Sequence, residues 1–84
     1  MVYRVQIRRR VQKQLNRIQE EHRERIIEAV YALSKDPRPR NSRKLEGREG
    51  YRLRIGDYRV LYRVDDETQG VLVAEIWHRQ RDYR

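Results

Sequence analysis

The chain has no cysteine, so neither a disulfide nor a thiolate zinc site can hold its fold together. It also has no apolar run near the ~20 residues that a membrane-spanning helix needs. Its first residues, VYRVQIRRR, lack the apolar segment of a secretory signal. These absences set the expectation of a cytoplasmic protein with no membrane contact; no cofactor is expected. Apolar residues are scarce as well. At 37% of 84 residues they supply a thin core, enough for one domain spanning 1–84 with helices layered on a sheet. Lysine is nearly missing, with Lys13, Lys35 and Lys44 standing beside 18 arginines.

Positive charge is what the chain has instead. Lys+Arg number 21 against 13 Asp+Glu, for a net charge of +8 and a pI near 10.4. That balance suits a polyanionic partner, either nucleic acid or an acidic protein. Arginine's planar fork matches phosphate, although a GC-rich genome raises arginine content with no physical cause. Position is more telling than number. Residues 50–84 carry seven cations and six anions, so only clustering can make a site there.

Such clustering occurs in Tyr51–Val64, YRLRIGDYRVLYRV. Tyr51, Leu53 and Ile55 alternate with Arg52 and Arg54, and Tyr58, Val60, Tyr62 and Val64 alternate with Arg59, Leu61 and Arg63. With Gly56-Asp57 as a two-residue loop, Ile55 faces Tyr58, Leu53 faces Val60 and Tyr51 faces Tyr62. That register makes one apolar face, with Tyr51, Tyr58 and Tyr62 as core. It also sets Arg54 across from Arg59, with Arg52 diagonal to the pair. Like charges directly opposed cost roughly 0.2–1 kcal/mol. The cluster reads as an anion site, and phosphate is the anion that guanidinium forks match best.

Elsewhere, Val2–Ile7 alternates as an edge or second strand. Val11, Leu15 and Ile18 form one stripe of a helix over Arg8–Glu20, and Ile26, Val30 and Leu33 stripe a second helix over Glu21–Ser34. Pro37 stops the second helix, and the short break between the two predicts an antiparallel helical hairpin. Arg38–Gly50 reads as a polar loop, Asp65–Gly70 as a turn and Val71–Ile76 as the last strand. The expected order is β-α-α-β-β-β: an α+β fold with a helical hairpin on one face of a mainly antiparallel four-stranded sheet. The free face then carries Arg52, Arg54 and Arg59. Glu75, Trp77 and Arg79 share a face, but turn length and bulges decide which.

The chain resembles the RelE/ParE superfamily of toxins from type II toxin–antitoxin pairs. The likeness spans nearly the whole chain and is concentrated in Lys44-Leu45-Glu46-Gly47, in the hairpin, and in the tail His78-Arg79-Gln80-Arg81-Asp82-Tyr83. For RelE-type members the resemblance implies mRNA cleavage in the ribosomal A site without metal. The 2′-hydroxyl attacks the adjacent phosphate and leaves a 2′,3′-cyclic phosphate and a 5′-hydroxyl. It also implies a cognate antitoxin, for which a +8 chain suits an acidic, partly disordered partner. ParE-type members share the fold and poison DNA gyrase instead. A degenerate, basic nucleic-acid-binding module is a third reading.

On the RelE reading the catalytic candidates are Arg52, Arg54, Arg59, Arg79, Tyr83 and His78. Arg52 and Arg54 stand where RelE-type members carry lysines. Arginine stays protonated at neutral pH, so these two can clamp phosphate but cannot take its proton. His78 or Tyr83 would be the base. His78 reads equally as a half-buried strand-end histidine, and Tyr83 as a tail residue one position from the end. Arg8, Arg9, Arg10, Lys13, Arg17 and Lys44 are candidates for contact with ribosomal RNA, the α-helical cations reading equally as a solvated face. Trp77 reads first as core, with stacking on an mRNA base as the other possibility. His22 has no partner at metal spacing and takes no role.

Overall fold

The computed structural model describes residues 2–80. Strand β1 (Arg4–Ile7) leads into helices α1 (Arg9–Asn16) and α2 (Glu20–Ala32). Four strands follow: β2 (Ser42–Lys44), β3 (Tyr51–Ile55), β4 (Tyr58–Asp65) and β5 (Gly70–His78). They form a five-stranded sheet in the order β1-β5-β4-β3-β2. β1 runs parallel to β5, and the other pairings are antiparallel.

The α+β class and the two helices packed on the sheet match expectation, but the sheet has one strand more than the four expected. The extra strand, β2, lies inside what reads as the polar loop Arg38–Gly50. It is only Ser-Arg-Lys, with no apolar alternation to mark it, and it is held by pairing Arg43 with Arg52 and Lys44 with Tyr51. Asn41 extends the contact: its carbonyl accepts from Arg54 N–H at 3.0 Å, and its side-chain amide donates to the Arg54 carbonyl at 2.8 Å. The first helix also ends earlier than its stripe suggests. Ile18 N–H bonds the Leu15 carbonyl at 3.0 Å in a tight last turn, and the Arg23 guanidinium caps the Ile18 carbonyl at 2.9 Å.

Both helices pack on the same sheet face. Val11 and Leu15 from α1, with Ile26, Val30 and Leu33 from the second helical stretch, meet Leu53, Ile55, Val60, Tyr62, Val71, Val73 and Ile76 in one buried cluster. Glu20 and Glu21 in the first turn of α2 complement the positive end of its dipole. A polar clamp closes one edge of this layer. Just after α2, Arg38 donates to Asp66 Oδ2 at 2.8 Å and to the Tyr51 hydroxyl at 2.8 Å, while the Tyr3 hydroxyl donates to Asp66 Oδ1 at 2.6 Å. The Arg38 guanidinium and the Tyr3 hydroxyl hold the Asp66 carboxyl below the usual carboxylate range. The same bond to Asp66 pushes the Tyr3 phenol up. Beneath the clamp, the buried Tyr62 hydroxyl donates to the Pro37 carbonyl at 2.7 Å.

The β4–β5 ladder holds the feature that matters most for the other face. Leu61 pairs with Glu75, but Tyr62 pairs with Val73, so Ala74 is an extra residue in β5. A one-residue bulge inverts the inside–outside pattern of whatever follows it. Val71 and Val73 face the helices before it; Ile76 faces them after it. Glu75 and Trp77 are thereby turned to the face without helices. Trp77 consequently does not fill the core, as a lone tryptophan on sequence grounds would, but opposes Arg59.

A candidate anion-binding face

The hairpin forms in the expected register: Tyr51 pairs with Tyr62, Leu53 with Val60, Arg54 with Arg59 and Ile55 with Tyr58. Gly56, at the first loop position, has φ +56, a left-handed conformation that glycine adopts without steric cost. Two cross-strand rows follow from the ladders. One runs Arg43, Arg52, Leu61, Glu75; the next runs Arg54, Arg59, Trp77.

Arg79 belongs with the second row. Its N–H donates to the Asp57 carbonyl at 2.6 Å, and its Nε lies 3.6 Å from Asp57 Oδ1. The hairpin loop therefore docks Arg79 beside the tip that carries Arg54 and Arg59. Arg59 is positioned from the same loop, its Nη1 donating to the Gly56 and Tyr58 carbonyls at 3.0 Å each. Arg48, from the segment between β2 and β3, reaches across the sheet to Glu75, with 3.7 Å between Nη2 and Oε2. Leu61, in the middle of this face, is only 4% exposed. The cations thus stand around a buried apolar residue while their own charged ends remain exposed to solvent.

Of the residues anticipated for catalysis, Arg52, Arg54, Arg59 and Arg79 come together here. His78 does not. It pairs with Tyr58 on the helix side of the sheet, its ring edge-on to Tyr58 at 5.3 Å, and its Nδ1 accepts from Gln80 N–H at 3.3 Å. Tyr83 lies outside the described residues. Arg8, Arg9, Arg10, Lys13 and Arg17 are exposed on or beside α1, across the sheet from the arginine rows. Lys44 is exposed on β2 in register with Tyr51, one position off the row that takes Arg43. Arg43, Arg48 and Glu75 were not foreseen. β2 has no strand signature, Arg48 sits in an irregular segment, and the bulge that turns Glu75 has no residue signal of its own. Among the described residues no group of three or more His, Cys, Asp or Glu side chains could hold a metal ion, and no helix is long and apolar enough to cross a membrane.

The family model of the ParE toxin of type II toxin–antitoxin systems matches residues 5–83, and the chain belongs to that family. No curated protein matches the sequence. Among solved structures, the chain is similar to one in the archaeal RelE–RelB complex from Pyrococcus horikoshii, with 36% identity and a TM-score of 0.85 over 96% of this chain and 99% of that one. It is also similar to a chain of the RelBE2 toxin–antitoxin complex from Mycobacterium tuberculosis, with 28% identity and a TM-score of 0.82 over 94% and 100% of the two chains. For the intact Escherichia coli RelBE complex the values are 25% and 0.77 over 90% and 95%.

Proposed function

We propose that this toxin is a ribosome-dependent endoribonuclease that cuts mRNA in the A site by attack of a ribose 2′-hydroxyl on the neighbouring phosphate. The observation that supports this reading is the direct pairing of Arg54 with Arg59, flanked by Arg52 and by an Arg79 docked on the same loop. A protein that needed only solubility gains nothing from opposing two guanidinium groups. A phosphorane, more negative than the phosphodiester it comes from, gains from several preorganised cations at once. The α1 cations and Lys44 would contact ribosomal RNA, and an acidic RelB-type antitoxin would neutralise the basic toxin. The chain would act in the cytoplasm, where translating 70S-type ribosomes are.

Primer extension on an mRNA translated with purified ribosomes, with and without the protein, tests this reading. Cuts confined to translated codons are expected; an intact message at stoichiometric toxin refutes it. The family match favours a second reading, a ParE-type toxin that inhibits gyrase without catalysis. Such a toxin would leave the message intact and block supercoiling by purified gyrase. A degenerate nucleic-acid-binding module would do neither.

A further inference from the structure

Resting on the ribonuclease reading, we propose that Glu75 is the base that accepts the proton of the attacking 2′-hydroxyl. The clamp itself cannot serve, because its arginines hold their protons at neutral pH. His78 stands on the other side of the sheet against Tyr58. Glu75 is on the arginine face, in the row of Arg43 and Arg52 and separated from Arg52 by Leu61 alone. Two strand spacings put their backbones about 10 Å apart. A ribose and its 3′ phosphate fit that gap when long side chains reach in from both sides. The phosphate then lies toward Arg52, Arg54 and Arg59, and the 2′-hydroxyl lies toward β5.

Two further observations support the assignment. Leu61, 4% exposed, gives the gap an apolar floor, while the Glu75 side chain beside it is about half exposed and open to an incoming ribose. Arg48 lies 3.7 Å from the Glu75 carboxylate as an ion-pair neighbour that favours its charged form. Asp57, the carboxylate at the hairpin tip, is engaged with Arg79 through both its carbonyl and its Oδ1 and sits beyond the last cross-strand pair. Among the described residues, the charged groups around Glu75 are Arg48 from the β2–β3 segment, Arg59 and Arg63 two positions either side of Leu61 on β4, and Arg52 beyond Leu61.

In the step itself, the Glu75 carboxylate takes the 2′ proton as the 2′ oxygen bonds to phosphorus. The bond from phosphorus to the 5′ oxygen breaks, its electron pair leaves with that oxygen, and the oxygen takes a proton from water. The products are a 2′,3′-cyclic phosphate and a 5′-hydroxyl, and Glu75 returns its proton to solvent. Positioned bases of this kind contribute about 10²–10⁴-fold.

The alternative role for Glu75 is to offset the charge of its arginine neighbours. In that case its removal would leave the rate intact and tighten RNA binding. Single-turnover cleavage of ribosome-bound mRNA across a pH series, for wild type, Glu75→Gln and Glu75→Asp, separates the two. The expected result is a loss of about 10²–10⁴-fold in the Gln variant, disappearance of the acid limb of its pH–rate profile, and partial recovery with Asp. A Gln variant that cuts at the wild-type rate with its acid limb intact overturns the assignment while the ribonuclease reading stands. A wild type that makes no cuts sinks both. If the Gln variant melts below wild type, the rates are compared at a temperature where both are folded, and a Gln variant that there cuts at the wild-type rate with its acid limb intact still overturns the proposal.

Discussion

Replacing Arg59 by alanine should separate the chemistry of this toxin from its stability. Among the described residues, the substitution removes two hydrogen bonds, from Nη1 to the Gly56 and Tyr58 carbonyls. Both acceptors lie at the hairpin tip, where water can replace the lost donor, so each bond contributes roughly 0.5–1 kcal/mol. Against that loss, Arg54 is relieved of a directly opposed like charge, a gain of roughly 0.2–1 kcal/mol. The net cost is about 1 kcal/mol, a fall of roughly 4–8 °C in Tm for a chain of this size. A domain with an ordinary stability of ~5 kcal/mol or more stays more than ~99% folded at 25 °C after such a loss. The chemistry should suffer much more. Removing one preorganised contact to a developing anion costs about 10²–10³ in rate, equivalent to ~2.7–4 kcal/mol. The assay pairs thermal melting with single-turnover cleavage of ribosome-bound mRNA. A variant that cuts as fast as wild type, or that is unfolded at 25 °C, refutes the reasoning, the first outcome by removing Arg59 from the site and the second by making it a structural residue.

Three further outcomes follow from the packing. Gly50 has φ +121, and a Cβ there would lie 3.0 Å from the Tyr62 carbonyl oxygen, so Gly50→Ala should cost about 1–3 kcal/mol by denaturant titration; an unchanged midpoint would contradict it. Tyr62→Phe should cost about 1 kcal/mol or slightly more, since the Pro37 carbonyl loses its 2.7 Å partner within the structure; a variant as stable as wild type would show that water replaces the phenol without loss. The Asp66 carboxyl titrates below its ordinary value, so its contribution to stability is complete above about pH 4 and is lost as pH falls through the lowered folded value. Asp66→Asn should therefore flatten the acid side of the Tm–pH curve, and a curve parallel to wild type would show that the Arg38 clamp adds nothing.

What could be read from the residues was what local alternation dictates. The period of two in Tyr51–Val64 and the Gly56-Asp57 loop are enough to place Arg54 opposite Arg59, because in a two-residue hairpin the loop sets the register. Three properties of the sheet were not readable in this way. β2 has no apolar residue and exists through its bonds to β3, which a pattern of side chains cannot announce. The Ala74 bulge ends the apolar run Val71–Ala74, where no alternation marks which residues face the core. Yet the bulge sends Trp77 out of the core and Glu75 onto the arginine rows. The ion pair of Arg48 with Glu75 joins residues 27 positions apart across intervening strands, so it exists only in the folded chain.

The two faces of the sheet divide the protein's work, and the division explains how so basic a domain tolerates opposed arginines. On the helix side, the buried cluster from Val11 to Ile76 supplies the hydrophobic stabilisation. On the other side, Leu61 is covered without belonging to that cluster, paired across the strands with Arg52 and Glu75. The hairpin tip reuses its own loop carbonyls and Asp57 to hold Arg59 and Arg79 in place, so part of the repulsion is met by local dipoles and a carboxylate before any ligand arrives. On the proposed ribonuclease reading, an incoming phosphate would supply further countercharge. Anion binding should accordingly stabilise the fold through the arginine face and not through the helices. The same reasoning applies to an acidic antitoxin: whichever part of it covers these rows offsets the charge that the core has to carry alone in the free toxin.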